Sequence, residues 1–256
     1  MNTVTIILGA AFALNVAFAV PISVYKPLPP TPPKLSAVSP FQNVTAPTCT
    51  TRDNVMSVKN GMIDPRYRWT DFNIHPDTAY NAEELQAINN GMFHLMEIIP
   101  CVTFGIWPPE SNPSGDYVHI IKGTDNGCNS YVGRLGGRQD MNLQSPGCLS
   151  VGTVTHEIIH ALGFHHEHGR PDRDDYVDIL WQNVIPGMEY AFDKFPTSEV
   201  TTFGVPYNVR SIMHYDSGAF SSNGQPTMQA KNGEQIGSTG NLLATDIQKL
   251  KAMYGC

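Results

Sequence analysis

Thr155-His156-Glu157-Ile158-Ile159-His160-Ala161-Leu162-Gly163-Phe164-His165-His166-Glu167 decides the reading of this 256-residue chain. On a helix, residues four apart stand one turn above each other, so His156 and His160 present their imidazoles to one point in space, as a zinc clamp requires. Glu157 falls on an adjacent helical face, close enough to touch water on a metal without displacing it. Gly163 can end the helix in a left-handed conformation, after which the chain turns and His166 can supply a third nitrogen. Three protein nitrogens leave a position open for water, the mark of a catalytic rather than a structural zinc. With 9 histidines in the chain, random placement gives His-Glu-x-x-His about once in a hundred such chains, and requiring Gly163 and His166 as well lowers this to about a few in 100,000. A chance surface cluster that binds metal adventitiously is therefore the weaker reading. His165 and His168 lie off the offset a third ligand needs and are expected beside the metal shell or in solvent. His75, His94 and His119 sit in no ligand spacing.

The longer run His156-Glu157-x-x-His160-x-x-Gly163-Phe164-x-His166-Glu167-x-x-Arg170-x-Asp172-Arg173-x-x-Tyr176 resembles the active-site signature of the astacin family of zinc endopeptidases, a branch of the metzincins. Ser211-Ile212-Met213-His214-Tyr215 resembles that family's Met-turn, and the similarity extends from about Asn60 to Cys256. The resemblance implies that His156, His160 and His166 bind one zinc ion and that Glu157 is the catalytic base. Met213 would form the floor beneath the metal, and Tyr215 would be a further zinc ligand that swings away to stabilise the transition state. The chemistry agrees: zinc lowers the pKa of water to about 7 and polarises a scissile carbonyl, Glu157 need only accept a proton, and the Tyr215 phenol can donate to a developing oxyanion. The implied fold is α+β, a two-lobed metzincin, zincin-like catalytic domain. A twisted mixed sheet and two long helices, one of them the active-site helix, form the upper lobe, and an irregular lower lobe begins at Gly163. Substrate would lie in the cleft between them, paired with an edge strand near Tyr117 to Ile121.

Composition fits a secreted protein. Charged residues are only 15% of the chain, and Lys plus Arg is 16 against 23 for Asp plus Glu, a net charge of -7 that offers no basic surplus for a phosphate backbone. Neither nucleic acid nor a membrane is an expected partner. Val4 to Ala19 is apolar, is interrupted by Asn15, and closes on Ala17-Phe18-Ala19, the small-x-small pattern of a cleaved signal peptide spanning 1–19 rather than a membrane anchor. Residues 20–59 are Pro-rich and poor in large apolar side chains, so they cannot bury enough surface to fold alone. They read as a prosegment carrying one glycosylation acceptor at Asn43, and 60–256 as the catalytic domain. Lys59 would suit a trypsin-like activating protease. In the family the new amino terminus folds inward towards the residue after the third zinc histidine, here Glu167, which makes that glutamate a structural latch. The expected working form is a monomer acting on protein or peptide substrates.

Within the domain, Leu85, Ile88, Met92, Leu95, Met96 and Ile99 recur at helical spacing up to Pro100, with Asn81 as a cap. Strands are expected at Val102 to Trp107 and Tyr117 to Ile121, and helices over Thr153 to Leu162 and from Thr245, there with Gln248 completing a capping box. Five cysteines leave one over. Connectivity does not follow from the sequence, but the family pattern matches Cys101 with Cys256 and Cys128 with Cys148. Cys49 is then the odd residue, a thiolate able to occupy the open zinc position in the precursor, with Asp53 as its rival. A Phe-x-Gly-Asp motif, common for this purpose in astacins, is missing from residues 20–59. Two other classes remain: a catalytically inactive binding module of the same fold, which would be free to lose Glu157, and a non-proteolytic toxin or structural disulfide protein, which would not need the helical histidine pair.

Overall fold

The computed structural model describes residues 61–123 and 127–256. The expected signal peptide, the prosegment, Asn43, Cys49 and Asp53 lie outside the described residues. In chain order the elements are β1 (Asp71–Pro76), α1 (Ala82–Ile98), β2 (Thr103–Ile106), β3 (Tyr117–Ile121), β4 (Cys128–Ser130), β5 (Arg138–Leu143), α2 (Val151–Ala161), β6 (Val177–Ile179), β7 (Met228–Ala230) and α3 (Ala244–Tyr254), with short 3-10 turns before β1, between α2 and β6, and between β6 and β7. The first five strands form one mixed sheet in the order β2-β1-β3-β5-β4, parallel except for β4 against β5. This corrects the expected edge: β3 is interior, paired with β1 on one side and β5 on the other, and the edges are β2 and β4. Its Tyr-Val-His-Ile-Ile sequence suits a strand with neighbours on both flanks, and nothing in it announces an edge.

Alternate residues of the sheet face one core. Phe72, Ile74, Val118, Ile120, Met141 and Leu143 are fully buried there and meet Ile88, Met92 and Leu95 of α1 and Val154 and Ile158 of α2. The α1 cap is as expected: Asn81 Oδ1 accepts from the Glu83 and Glu84 amides at 3.0 Å, and Glu84 reaches back to the Asn81 amide at 2.8 Å. Gly91 sets the distance from α1 to α2, since a Cβ there would come within 2.5 Å of the Val154 side chain. Thr155 Oγ1 donates to the Gly91 carbonyl across the same contact, at 3.1 Å. The active-site helix starts two residues before its expected position because Ser150 Oγ accepts the Thr153 amide at 3.1 Å and caps it.

A second, smaller core holds Val177, Val184, Phe192, Tyr207, Val209, Met228, Ala230 and Ile236 around the β6–β7 pair. The irregular lower lobe thus has its own apolar interior, but it does not continue to the chain end as expected: α3 returns to the first core with Leu250 and Met253. The cap of α3 also differs. Thr245 lies inside the helix, and Asp246, not Gln248, accepts from the backbone amide of the capping position, Leu243, at 3.0 Å. Two disulfides close the domain as the family pattern implied, Cys101–Cys256 across 155 residues and Cys128–Cys148 across 20. Among the described residues, no helix is long and apolar enough to cross a membrane.

Candidate metal centre and cleft

The histidines of α2 converge with His166 as the spacing predicts. Ring centroids are 4.6 Å apart for His156 and His160, 4.5 Å for His160 and His166, and 5.3 Å for His156 and His166. One ligand atom from each lies within 4.8 Å of the others, and this is the one such group among the described residues. His160 Nε2 and His166 Nε2 are 3.2 Å apart, against about 3.3 Å for two nitrogens bound tetrahedrally at zinc distances. Backbone carbonyls orient the clamp: His156 Nδ1 bonds Ile212 O and His160 Nδ1 bonds Phe164 O, both at 2.7 Å. A carbonyl can only accept, so each Nδ1 carries the proton and each Nε2 keeps its lone pair for a metal. Burial drives the pKa of His156 down to about 4 and those of His160 and His166 well below the usual imidazole value, so all three are neutral, as metal ligands must be. Glu157 is fully buried and lines the same cavity, about 510 Å³, as His156, His166 and Tyr215.

Two turns bring His166 into place. Gly163 ends α2 with φ 108°, a backbone angle that disfavours a side chain, and its amide closes on the His160 carbonyl at 2.8 Å. Beyond His166, the Glu167 amide donates to the Met213 carbonyl at 2.8 Å, tying the third histidine to the Met-turn. Met213 itself is 4% exposed in the main core. The Tyr215 ring lies 4.3 Å from His166 and 3.9 Å from His168. His168 is buried behind that ring with Nε2 2.9 Å from the Ala191 carbonyl, and His165 packs on Phe195, so neither joins the clamp. His75 and His119 face each other across β1 and β3, and His94 is exposed on α1.

The sequence reading missed what supports these groups. Asp246 of α3, 4% exposed, accepts from Ser211 Oγ at 2.5 Å and from the Ile212 amide at 3.3 Å, which fixes the very residue whose carbonyl holds His156. Lys249, one turn on, bonds Glu167 Oε2, while Glu167 Oε1 accepts from Arg170 at 3.1 Å and the Asn208 amide at 3.2 Å. Glu167, Arg170 and Lys249 are each 3% exposed or less. A buried carboxylate at Glu167 needs a partner, and here it has two cations. The signal was in α3: Asp246, Lys249, Leu250 and Met253 fall at one helical stripe, and two charges on a core-facing stripe imply a buried ionic network.

A three-histidine clamp, two members on a helix and the third just beyond its end, set under a mixed sheet and opening on a cleft, is the arrangement of the zinc metalloprotease fold. Comparison with known proteins narrows the class. Residues 61–255 match the peptidase family model described as Astacin, and the chain belongs to the astacin family of zinc metalloendopeptidases. It is 43% identical over 157 residues to the zinc metalloproteinase nas-14 of Caenorhabditis elegans, a match covering 61% of this chain and 31% of that protein. With nas-6 of the same organism it shares 39% over 183 residues, 70% of this chain and 51% of that one. The matched region thus spans only about a third to a half of these relatives' own length. Among solved structures, the hatching enzyme zinc-protease high choriolytic enzyme 1 of Oryzias latipes superposes with a TM-score of 0.67 at 30% identity, covering 75% of this chain and 96% of that one. Myroilysin, at 20% identity and a TM-score of 0.51, shares the fold.

Proposed function

We propose that this chain is a secreted endopeptidase, made as a zymogen, that hydrolyses peptide bonds in proteins. The observation that carries the reading is the convergence of three neutral imidazoles, each ready to present a lone pair, on a cavity that a buried glutamate also lines. Zinc bound by His156, His160 and His166 would supply Lewis acidity, acidifying water and polarising the carbonyl under attack. Glu157, held on α2 between two ligands, accepts the proton released and passes it to the leaving amine. Tyr215, whose ring lies against that of His166, would serve as a further ligand at rest and donate its phenol hydrogen to the oxyanion during the reaction. Met213 floors the site. An extended peptide can add along β4, the edge strand that contributes Cys128 to the cavity wall.

Two disulfides favour an oxidising compartment and so export after removal of residues 1–19. A trypsin-like protease cutting after Lys59 would release the domain as a monomer. Glu167 is the latch for the new amino terminus, a role the local charges allow: Arg170 and Lys249 face Glu167, Asp172 and Asp246, leaving room for one more cation. Cys49, or Asp53 in its stead, keeps the precursor inactive. A casein assay tests the whole reading. The processed protein should cleave casein, lose that activity to a chelator and regain it with zinc, and the Glu157→Gln variant should bind zinc yet be inert. Undiminished hydrolysis by that variant, or a processed protein with no stoichiometric zinc, would overturn it. For the zymogen step, a Cys49→Ala precursor should cleave casein without processing, and a precursor still inert after that change removes Cys49 from the switch.

A further inference from the structure

We propose that Asp216 sets the specificity of this cleft and that preferred substrates carry a lysine or arginine next to the scissile bond. The inference rests on the endopeptidase reading and adds the substrate class. Among the described residues that line the cavity, Asp216 is the one ionisable side chain besides the histidines, Glu157 and Tyr215, and none is a Lys or Arg. It follows Tyr215 directly in the chain, so it stands one residue from the reacting centre. Its carboxylate tucks against Gly237, where a Cβ would collide with Oδ1, and any larger residue there would displace it. Among the described residues its side chain has no ion pair or hydrogen bond. Arg210 is near enough to feel its charge but bonds the Gln235 carbonyl at 3.3 Å.

Beside this carboxylate, Ile212, Ala219 and Phe220 offer apolar wall and Gly218 offers none of its own bulk. That is a fit for a long aliphatic stem with a cationic head: the stem lies on the apolar wall and the head reaches the acid. An acidic side chain would meet Asp216 and Glu157 with no Lys or Arg among the described lining residues to receive it, a built-in rejection. The acidic surplus, which widens once Lys26, Lys34, Arg52, Lys59 and Asp53 leave with residues 1–59, draws cationic substrates towards the processed domain as well.

The test uses the processed, zinc-loaded enzyme and a peptide library varied at both residues flanking the scissile bond. At one of those positions, kcat/KM for Lys or Arg should exceed that for Asp or Glu by about 10-fold, the scale of a partly desolvated charge pair plus the like-charge penalty. Asp216→Asn should bring that ratio towards one, and Asp216→Lys should invert it. The ratio is taken within each variant, with zinc content measured, so a loss of folded enzyme cancels. An enzyme that cuts but prefers acidic side chains, or keeps its preference in Asp216→Asn, overturns this inference alone. One that cuts no peptide overturns the endopeptidase reading, and this inference with it.

Discussion

Removing the Asp246 carboxylate, which holds Ser211 from 35 residues away in the chain, should loosen the zinc site. Asp246→Ala strands three donors: Ser211 Oγ, now 2.5 Å from the acid, the Ile212 amide at 3.3 Å and the Leu243 amide at 3.0 Å. Leu243 is only half-buried, so water can replace one partner, while Ser211 and Ile212 are buried. Two buried donors left unsatisfied cost about 2–6 kcal/mol. Relief of the burial that raises the Asp246 pKa offsets part of this, so the net loss is about 3 kcal/mol, or about 6–12 °C in Tm for a domain of this size. The loss is not confined to stability. Ile212 O is the acceptor for His156 Nδ1 at 2.7 Å, and disturbing the partner that orients a metal ligand weakens metal binding about 10- to 100-fold. Scanning calorimetry of the zinc-loaded protein reads the first effect and competition with a fluorescent chelator reads the second. Asp246→Asn, which keeps one acceptor oxygen, should fall between. A Tm within about 2 °C of wild type, with zinc affinity within about twofold, would refute the argument that α3 holds the Met-turn in register.

Other perturbations test other layers. Gly91→Ala drives a methyl into Val154, whose Cγ1 lies 2.5 Å from the new Cβ, and should cost about 1–3 kcal/mol by parting α1 from the zinc-binding helix, read in urea unfolding. Serine replacement of the Cys101–Cys256 pair, which closes 155 residues, should lower stability by about 5 kcal/mol, and of the Cys128–Cys148 pair, which closes 20, by about 3 kcal/mol; equal losses would refute the chain-entropy account. Glu84, hydrogen-bonded by Lys122, Ser145 and the Asn81 amide, has its pKa pulled down to about 2. A depressed carboxylate stabilises the fold above its unfolded pKa, about 4.3, and the contribution fades as pH falls towards 2. The Tm gap between wild type and Glu84→Gln should therefore be full at about pH 6 and close between about pH 4.3 and 2.

What could be read from the residues alone divides along a physical line. The zinc clamp was legible because helical geometry converts a four-residue spacing into proximity, and a Gly that must take φ 108° marks the turn to the third ligand. Helix α1 was legible because its apolar stripe and its Asn81–Glu84 cap both act within a few residues. The strands β1 and β5 escaped because Asp-Phe-Asn-Ile-His-Pro and Arg-Gln-Asp-Met-Asn-Leu carry polar residues that only a neighbour can satisfy. Gln139, for instance, is buried with its amide on the Gly133 carbonyl at 2.9 Å, a bond that exists only once the loop folds back. The choice of edge strand escaped for a related reason: pairing is decided by what comes to lie alongside, so β3 and β4 cannot be ranked from their own residues. Asp246 and Lys249 stand between these cases. Their positions on an apolar stripe announce that they are buried, yet their partners Ser211 and Glu167 lie 35 and 82 residues away. The site's ligands are therefore encoded locally and its rigidity non-locally. Substitutions in α3 should on this account weaken metal binding, through Ile212 on one side of the clamp and Glu167 on the other.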